Sequence, residues 1–264
     1  MSQMTDPGTG VWVYGVYADH DATVPTDMPG VAGETVRTVH EAGLAAIVGT
    51  VDLDRFGEDG LRRGLNDLDQ LAMMARAHHA VVGQAARSAT VAPTRLATVY
   101  ENDDRVRAML AQRHLALTSA LRHVQGRQEY GVKAFRADRA SAADGPAATP
   151  TSGTDYLRQR QAALSAHEVS RKTAGAGAEA IHAELLKWTV GNRRHRPQDR
   201  QLSGDDRPMV LNTAYLVDSD RSSSFVEAVD RLASDHPELD VEVTGPWPPY
   251  SFAVVEDAEA GEPR

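Results

Sequence analysis

Hydrophobic spacing along this chain switches twice from a strand-like period to a helical one, and that double switch restricts the fold to sheets covered by helices. Valines and aromatics dominate Val11 to Tyr17, which reads as a strand interrupted by Gly15. After a loop containing Pro and Asp, Glu34 to His40 and Leu44 to Asp52 read as a hairpin turning at Ala42-Gly43. Leu61, Leu65, Leu68, Leu71 or Ala72, Ala75, His78 or His79 and Val82 then recur at steps of three and four, which predicts one long amphipathic helix over Leu61 to Arg87. Thr90 to Tyr100 is extended, with Pro93 confined to an edge, a bulge or a strand start. Asn102 is an N-cap backed by two aspartates, and Val106, Leu110, Leu117 and Leu121 predict a second helix closed by Gly126.

The second block begins with the alternating Tyr130 to Ala137. Residues 138–153 are nearly all Ala, Ser, Asp, Gly, Pro and Thr and read as a flexible loop. Thr154 or Asp155 is placed to cap a third helix, which carries Tyr156, Leu157, Leu164 and Val169 and, past a weakening at Gly175 to Gly177, Ile181, Leu185 and Trp188. Gly191 to Pro208 reads as a polar, arginine-rich loop. Strand (Met209 to Val217), helix (Ser222 to Ser234), strand (Leu239 to Thr244), the GPWPP turn and a last strand (Tyr250 to Val255) complete the chain. The expected architecture is α+β, two units with sheets covered on one face: a disordered tail over 1–10, an N-terminal α+β domain over 11–127, a second domain over 128–256, and an acidic tail over 257–264.

Charge and composition narrow the chemistry. The 264 residues hold 28 basic and 37 acidic side chains, a net charge of −9, and no cysteine. Disulfides, thiolate-bound zinc, iron–sulfur clusters and cysteine nucleophiles are thereby excluded. The acidic balance disfavours general DNA binding. Leu44 to Val51, the longest apolar stretch, falls far short of the roughly 20 residues of a spanning helix, and the first ten residues lack the features of a secretory signal. A cytoplasmic protein without membrane contact is expected.

The ten histidines form no HxH, HxxxH or HExxH arrangement, and His78 and His79 are adjacent, about 100° apart around a helix, so they cannot hold one ion together. One ring of that pair is expected to be partly buried and the other solvated. His114, His123, His167 and His182 read as exposed imidazoles on helix surfaces. No GxxxxGK[ST] or GxSxG occurs, and Gly175 to Ala180 fits the loose GxGxx[GA] form only after a polar helical segment. No catalytic residue, cofactor site or metal site is expected. Two features suit a partner. Lys187 to Arg200 gathers Arg193, Arg194 and Arg196 against Asp199 alone, as phosphate or acidic-surface contacts do, and as a loop after a helix C-terminus also does. Gly245 to Tyr250 is a rigid turn that presents Trp247 and Tyr250 either to the core or to a partner.

The run GPWPPYSF at Gly245 to Phe252 resembles the C-terminal signature of the gas vesicle protein F/L family. Further matches follow in order: YGVY at Tyr14, GLAAIVGTV at Gly43, ARAHHAVV at Ala75, APTRLATVY at Ala92, YGVKAF at Tyr130, YLRQR at Tyr156 and AYLVD at Ala214. One position departs, since Leu96-Ala97 stands where the family carries an aromatic–glycine pair. The resemblance implies a two-domain accessory protein of gas vesicle assembly, with an α+β N-terminal domain, a modified ferredoxin-like C-terminal domain and no catalytic residues. It also implies association with the small amphipathic shell protein (GvpA type) and with other accessory proteins, in the cytoplasm at the gas vesicle. Two rival readings stay open: a ferredoxin-like small-molecule enzyme with a pocket at His78 or His79, and a nucleic-acid binder using the Arg193 to Arg200 loop.

Overall fold

The computed structural model describes residues 8–20, 24, 27–64, 67–137, 152–196 and 207–253. The 257–264 tail, most of the 138–153 loop and of the 1–10 tail, and Arg200 lie outside them. The chain is α+β with two sheets. It divides into two compact units, Met1–Gln128 with Trp247–Arg264, and Glu129–Pro246. The sequence reading kept 128–256 together, whereas compactness assigns Trp247 onward to the first unit.

In the first unit the sheet runs β2 (Arg37–Glu41), β3 (Leu44–Asp52), β1 (Thr9–Ala18), β4 (Val91–Pro93), and β5 (Val99–Tyr100) also pairs with β1. The β2–β3 hairpin turns at Ala42 (φ 52°) and Gly43 (φ 76°), the two positive φ values of a tight turn matched to strand twist. Strand β1 is buried on both faces, so the one-face expectation is corrected here. Val11, Val13 and Val16 face α4 (Asp103–Gln112) and α5 (His114–Val124), packing with Val106, Leu110, Leu117 and Leu121. Trp12, Tyr14 and Tyr17 face α3 (Leu68–Ala85) and pack with Met74, Val81, Val82 and Ala85. Strict alternation would put Val16 with Trp12. A register shift between Val13 and Gly15, where Val13 pairs Val48 and Gly15 pairs Ile47, leaves Tyr14 as the extra residue and reverses the parity beyond it.

Two helices read as single ones are each broken. The first divides into α2 (Glu58–Gly64) and α3, where the Asp67 side chain accepts from the Asp69 and Gln70 amides and caps a new helix. Before α2 lies the single turn α1 (Leu53–Phe56). The second breaks at Arg113, between α4 and α5. Asn102 caps α4 as expected, and Gly126 has the positive φ that ends a helix (69°).

Ala97 also lies in the left-handed region, at φ 65°. An L-residue there is strained by about 1–2 kcal/mol, a cost that glycine, with no Cβ, escapes. Glycine brings extra unfolded-state entropy, so Ala97→Gly is expected to stabilise by about 0.5–1 kcal/mol, read as a rise in the urea midpoint.

The second unit orders its strands β7 (Gly191–Arg194), β8 (Met209–Asp218), β6 (Arg127–Arg136), β9 (Leu239–Trp247). With α6 (Gly153–Leu185) and α7 (Ser222–Asp235), the sequence of elements is β-α-β-β-α-β, the split arrangement of ferredoxin-like domains. Ala178, Ile181 and Leu185 of α6 and Phe225, Val229 and Leu232 of α7 meet Tyr130, Val132, Tyr215 and Val217 on one sheet face. Ser152, rather than Thr154 or Asp155, caps α6, which runs unbroken through Gly175 and Gly177. Its first two-thirds is solvated, with Tyr156, Leu157, Leu164 and Val169 exposed. Residues 191–194, read as loop, form a strand because β8 supplies its ladder partners. Residues 250–253, read as strand, form a turn in which the Ala253 amide donates to Pro249.

Candidate functional site

Trp247 and Tyr250 converge on α3 of the first unit. The His79 ring meets Trp247 edge-on at 5.1 Å between centroids and Tyr250 at 6.0 Å, with Tyr250 Oη 3.4 Å from His79 Nδ1. Gly245 to Trp247, read as part of the turn, instead end strand β9, where a proline on either side limits the backbone freedom of Trp247, and Tyr250 lies in the turn that follows. Tyr250 is half-buried, while Trp247 keeps 41% of its surface in solvent. The strand end and its turn therefore use one aromatic as an anchor and show the other.

Behind it lies a buried polar network. Trp12 Nε1–H donates to His78 Nδ1 at 3.1 Å, which places the ring proton on Nε2. His78 is 2% exposed, and no acceptor among the described residues reaches Nε2 in hydrogen-bonding geometry. Burial pushes its pKa from 6.5 down to about 4, against a weaker opposing effect of the Thr94 backbone. Tyr14 Oη donates to Glu34 Oε1 at 2.5 Å and accepts from the Val31 amide at 2.9 Å, and burial followed by the Glu34 contact raises the phenol pKa. Glu34 is held by its other oxygen, which accepts from the Ala32 amide. With the imidazole pKa lowered and the phenol pKa raised, His78 and Tyr14 are both neutral near pH 7 and serve to tie β1 to its neighbours.

His78 makes stability depend on pH. Its folded-state pKa lies below that of a free imidazole, so the unfolded chain takes up the proton first as pH falls. The contribution is complete above pH 6.5 and is lost between 6.5 and about 4. It amounts to roughly 3 kcal/mol, because each pKa unit is worth about 1.4. Urea midpoints measured across that window should fall with acid in the native chain and fall less in His78→Gln.

Arg193, Arg194 and Arg196 belong to the second unit, apart from the aromatic pair. Arg193 and Arg194 sit on edge strand β7, paired with Ala214 and Thr213, and Arg196 follows it; all three are exposed. Arg194 Nη2 contacts both oxygens of Glu179 on α6, at 2.8 and 2.7 Å, which offsets one of the three charges. Nearby, His182 Nδ1 and Tyr215 Oη share a hydrogen bond of 2.7 Å. Burial first, then Arg194, lowers the His182 pKa, and burial raises that of Tyr215. His182, read as an exposed ring, is thus half-buried and joins α6 to β8.

Among the described residues no three His, Asp or Glu side chains are placed to hold a metal ion, and no helix is long and apolar enough to cross a membrane. A cavity of about 70 Å³ lies in the first unit, lined by residues that include neither His78 nor His79.

Comparison with known proteins gives concordant results. Residues 10–254 match the model of the family described as gas vesicle synthesis protein GvpL/GvpF. Gas vesicle protein L of a Streptomyces species is 40% identical over 255 residues, covering 95% of each chain. Gas vesicle protein F of the same organism is 28% identical, covering 91% of this chain and 98% of that one. The crystal structure of the gas vesicle protein GvpF from Anabaena sp. aligns with a TM-score of 0.67 at 20% identity, over 94% of this chain and 98% of that one. GvpF from Microcystis aeruginosa aligns with a TM-score of 0.65 at 16% identity, over 93% and 99%. Both structures share the fold.

Proposed function

This chain belongs to the gas vesicle synthesis protein GvpL/GvpF family, and from that premise we propose that it is a non-enzymatic accessory protein of gas vesicle assembly, acting in the cytoplasm on the amphipathic shell protein and on other accessory proteins. The family match over residues 10–254 carries the proposal. The physical need is plain. A shell that excludes liquid water presents apolar side chains to its gas side, so free shell subunits carry large apolar patches that aggregate. A partner that covers those patches before assembly raises the yield of ordered shell.

The sheet of the first unit is covered by helices on both faces, so it offers no open face to a shell subunit. The contact assigned here is the aromatic turn, with Trp247 as the exposed ring and Tyr250 and His79 as its support. Aromatic side chains on a rigid backbone suit such contacts, because they bury much area at little entropic cost. Arg193 and Arg196, exposed on the second unit, serve an accessory partner of acidic surface.

Co-elution of the purified full chain with purified shell protein tests the reading. A complex is expected, weakened at least tenfold by Trp247→Ala, a residue exposed enough for the variant to fold. Failure of the full chain to retain shell protein under any condition that keeps the shell protein dispersed counts against it.

A further inference from the structure

Helix α6 of the second unit is 33 residues long, yet only its last part packs on the sheet. Ala174, Ala178, Ile181 and Leu185 are buried there, whereas none of residues 153–173 is buried. At about 1.5 Å per residue, roughly 30 Å of helix stands in water. An isolated helix of that length is marginal and draws most of its stability from an amphipathic face laid on a partner. Such a face is present, because the core-facing stripe does not stop where the sheet does. At about 100° per residue, Tyr156, Leu157, Arg160, Leu164, His167 and Arg171 all fall within about 60° of the line through Ala178. Tyr156, Leu157 and Leu164 are 50%, 66% and 66% exposed. Val169, also exposed, lies on the opposite side.

The same geometry sorts the charges. The chain carries a net charge of −9, yet its solvated helical stretch holds Arg158, Arg160, Arg171 and Lys172 against Asp155 and Glu168 alone. Arg158 and Lys172 lie off the stripe, and each is paired along the helix, with Asp155 at 3.4 Å and with Glu168 at 2.8 Å. Arg160 and Arg171 lie at the centre of the stripe, and neither meets a carboxylate among the described residues. Arg160 Nη1 donates instead to the Tyr156 hydroxyl at 3.4 Å. Three helical turns, about 16 Å, separate the two arginine positions, with Leu164 between them. Guanidinium forks pair with carboxylates in fixed geometry, so cations at this spacing select an acidic partner and its register. A second copy of α6 does not suit, since it would set these cations against their own kind.

We propose that the solvated stripe of α6 docks an acidic amphipathic helix of a partner protein, whose apolar side chains cover Tyr156, Leu157 and Leu164 while two carboxylates three turns apart meet Arg160 and Arg171. Apolar contacts flanked by charges that fix register are the arrangement of paired helices. The stripe shares no residue with the Trp247–His79 surface or with Arg193 and Arg196, so the failure of any one of these contacts leaves the others standing.

A fluorescein-labelled helical peptide, AAQEAAQLAQLAAQEAAQA, places two glutamates three turns apart with leucines between them on one face. Titrated with the full-length protein and followed by anisotropy, it is expected to bind saturably. At least tenfold loss is expected when its glutamates become lysines or its leucines become serines, and in the double variant Arg160→Glu with Arg171→Glu. Both arginines are exposed, so the double variant keeps the fold, which its circular dichroism checks. Arg158→Gln, off the stripe, and Arg193→Glu, on β7, are expected to bind as the native chain does. No saturation at about 1 mM protein overturns the proposal. So does binding unchanged by the double variant or by loss of the leucines, and so does an equal loss in Arg158→Gln, which would make net charge the cause. A labelled oligothymidylate that binds through Arg160 and Arg171 where the peptide does not assigns the stripe to phosphates and overturns the protein partner. Peptide binding that appears only when residues 138–150 are replaced by a short Gly-Ser linker assigns the stripe to the chain itself and overturns it as well.

Discussion

His78→Ala is expected to cost the first unit about 4 kcal/mol, read as a lower urea midpoint with an unchanged slope. Two losses combine. The imidazole is packed among Trp12, Tyr14 and Tyr250, with ring centroids at 6.1, 5.3 and 6.3 Å, so truncation leaves a cavity in a region that cannot collapse freely. It also removes the acceptor of Trp12 Nε1–H, and a buried donor left without a partner costs about 1–3 kcal/mol. These parts separate in a double-mutant cycle. Trp12→Phe removes the orphaned donor, so the double variant should be more stable than the sum of the single effects by at least about 1 kcal/mol. Strict additivity, or a loss below about 1 kcal/mol for His78→Ala, would mean that the Trp12–His78 bond contributes nothing.

Gly30→Ala is the second large effect expected, about 3 kcal/mol, from a change that adds one methyl group. A Cβ at this position would collide with Glu34 Oε1 and with Tyr14 Oη. Neither atom can yield without breaking a bond, because Tyr14 holds Glu34 and accepts from the Val31 amide, while Glu34 also accepts from Ala32. The cost combines overpacking with loss of the buried phenol's partners. If that account holds, Glu34→Ala gives back part of the loss in the Gly30→Ala background. The control is Gly83→Ala on α3, where nothing lies within 4 Å of the added carbon and helix propensity alone should raise stability by about 0.5–1 kcal/mol. A Gly30→Ala chain within about 0.5 kcal/mol of the native one would show that the loop at 30–34 adapts freely.

The parts of the fold visible in the sequence are those whose signal is local. The hairpin at Ala42-Gly43, the strand at Val11 to Tyr17 and the cap at Asn102 depend on turn chemistry, residue type and one hydrogen bond, all of which lie within a few positions. Elements that depend on distant partners were not visible. Strand β7, Gly191-Asn192-Arg193-Arg194, has no apolar residue to betray it and exists through its ladder with β8. The breaks at Asp67 and Arg113 interrupt apolar spacing too briefly to be noticed against the period of the long helix. One missed signal was available: an unbroken apolar run such as Val11 to Val13, continued by Tyr14, Val16 and Tyr17, marks a strand buried on both faces, and the sheet is covered on both.

For the candidate site, the proline-flanked Trp247 identified the turn, but nothing in its neighbourhood pointed to His79, which lies 171 positions before Tyr250. The spacing leaves His78 and His79 as alternatives for the core face, and packing on one face of α3 with Met74, Val81, Val82 and Ala85 makes His78 the buried ring. The arginine cluster was visible as charge, and its partial neutralisation by Glu179 on another element was not.

The most direct test of the proposed role is light scattering by purified shell protein diluted out of denaturant, with and without an equimolar amount of this chain. Shielding of apolar patches predicts suppressed scattering and a soluble complex of the two proteins. Scattering that rises at the same rate and to the same level in the presence of the chain would contradict it.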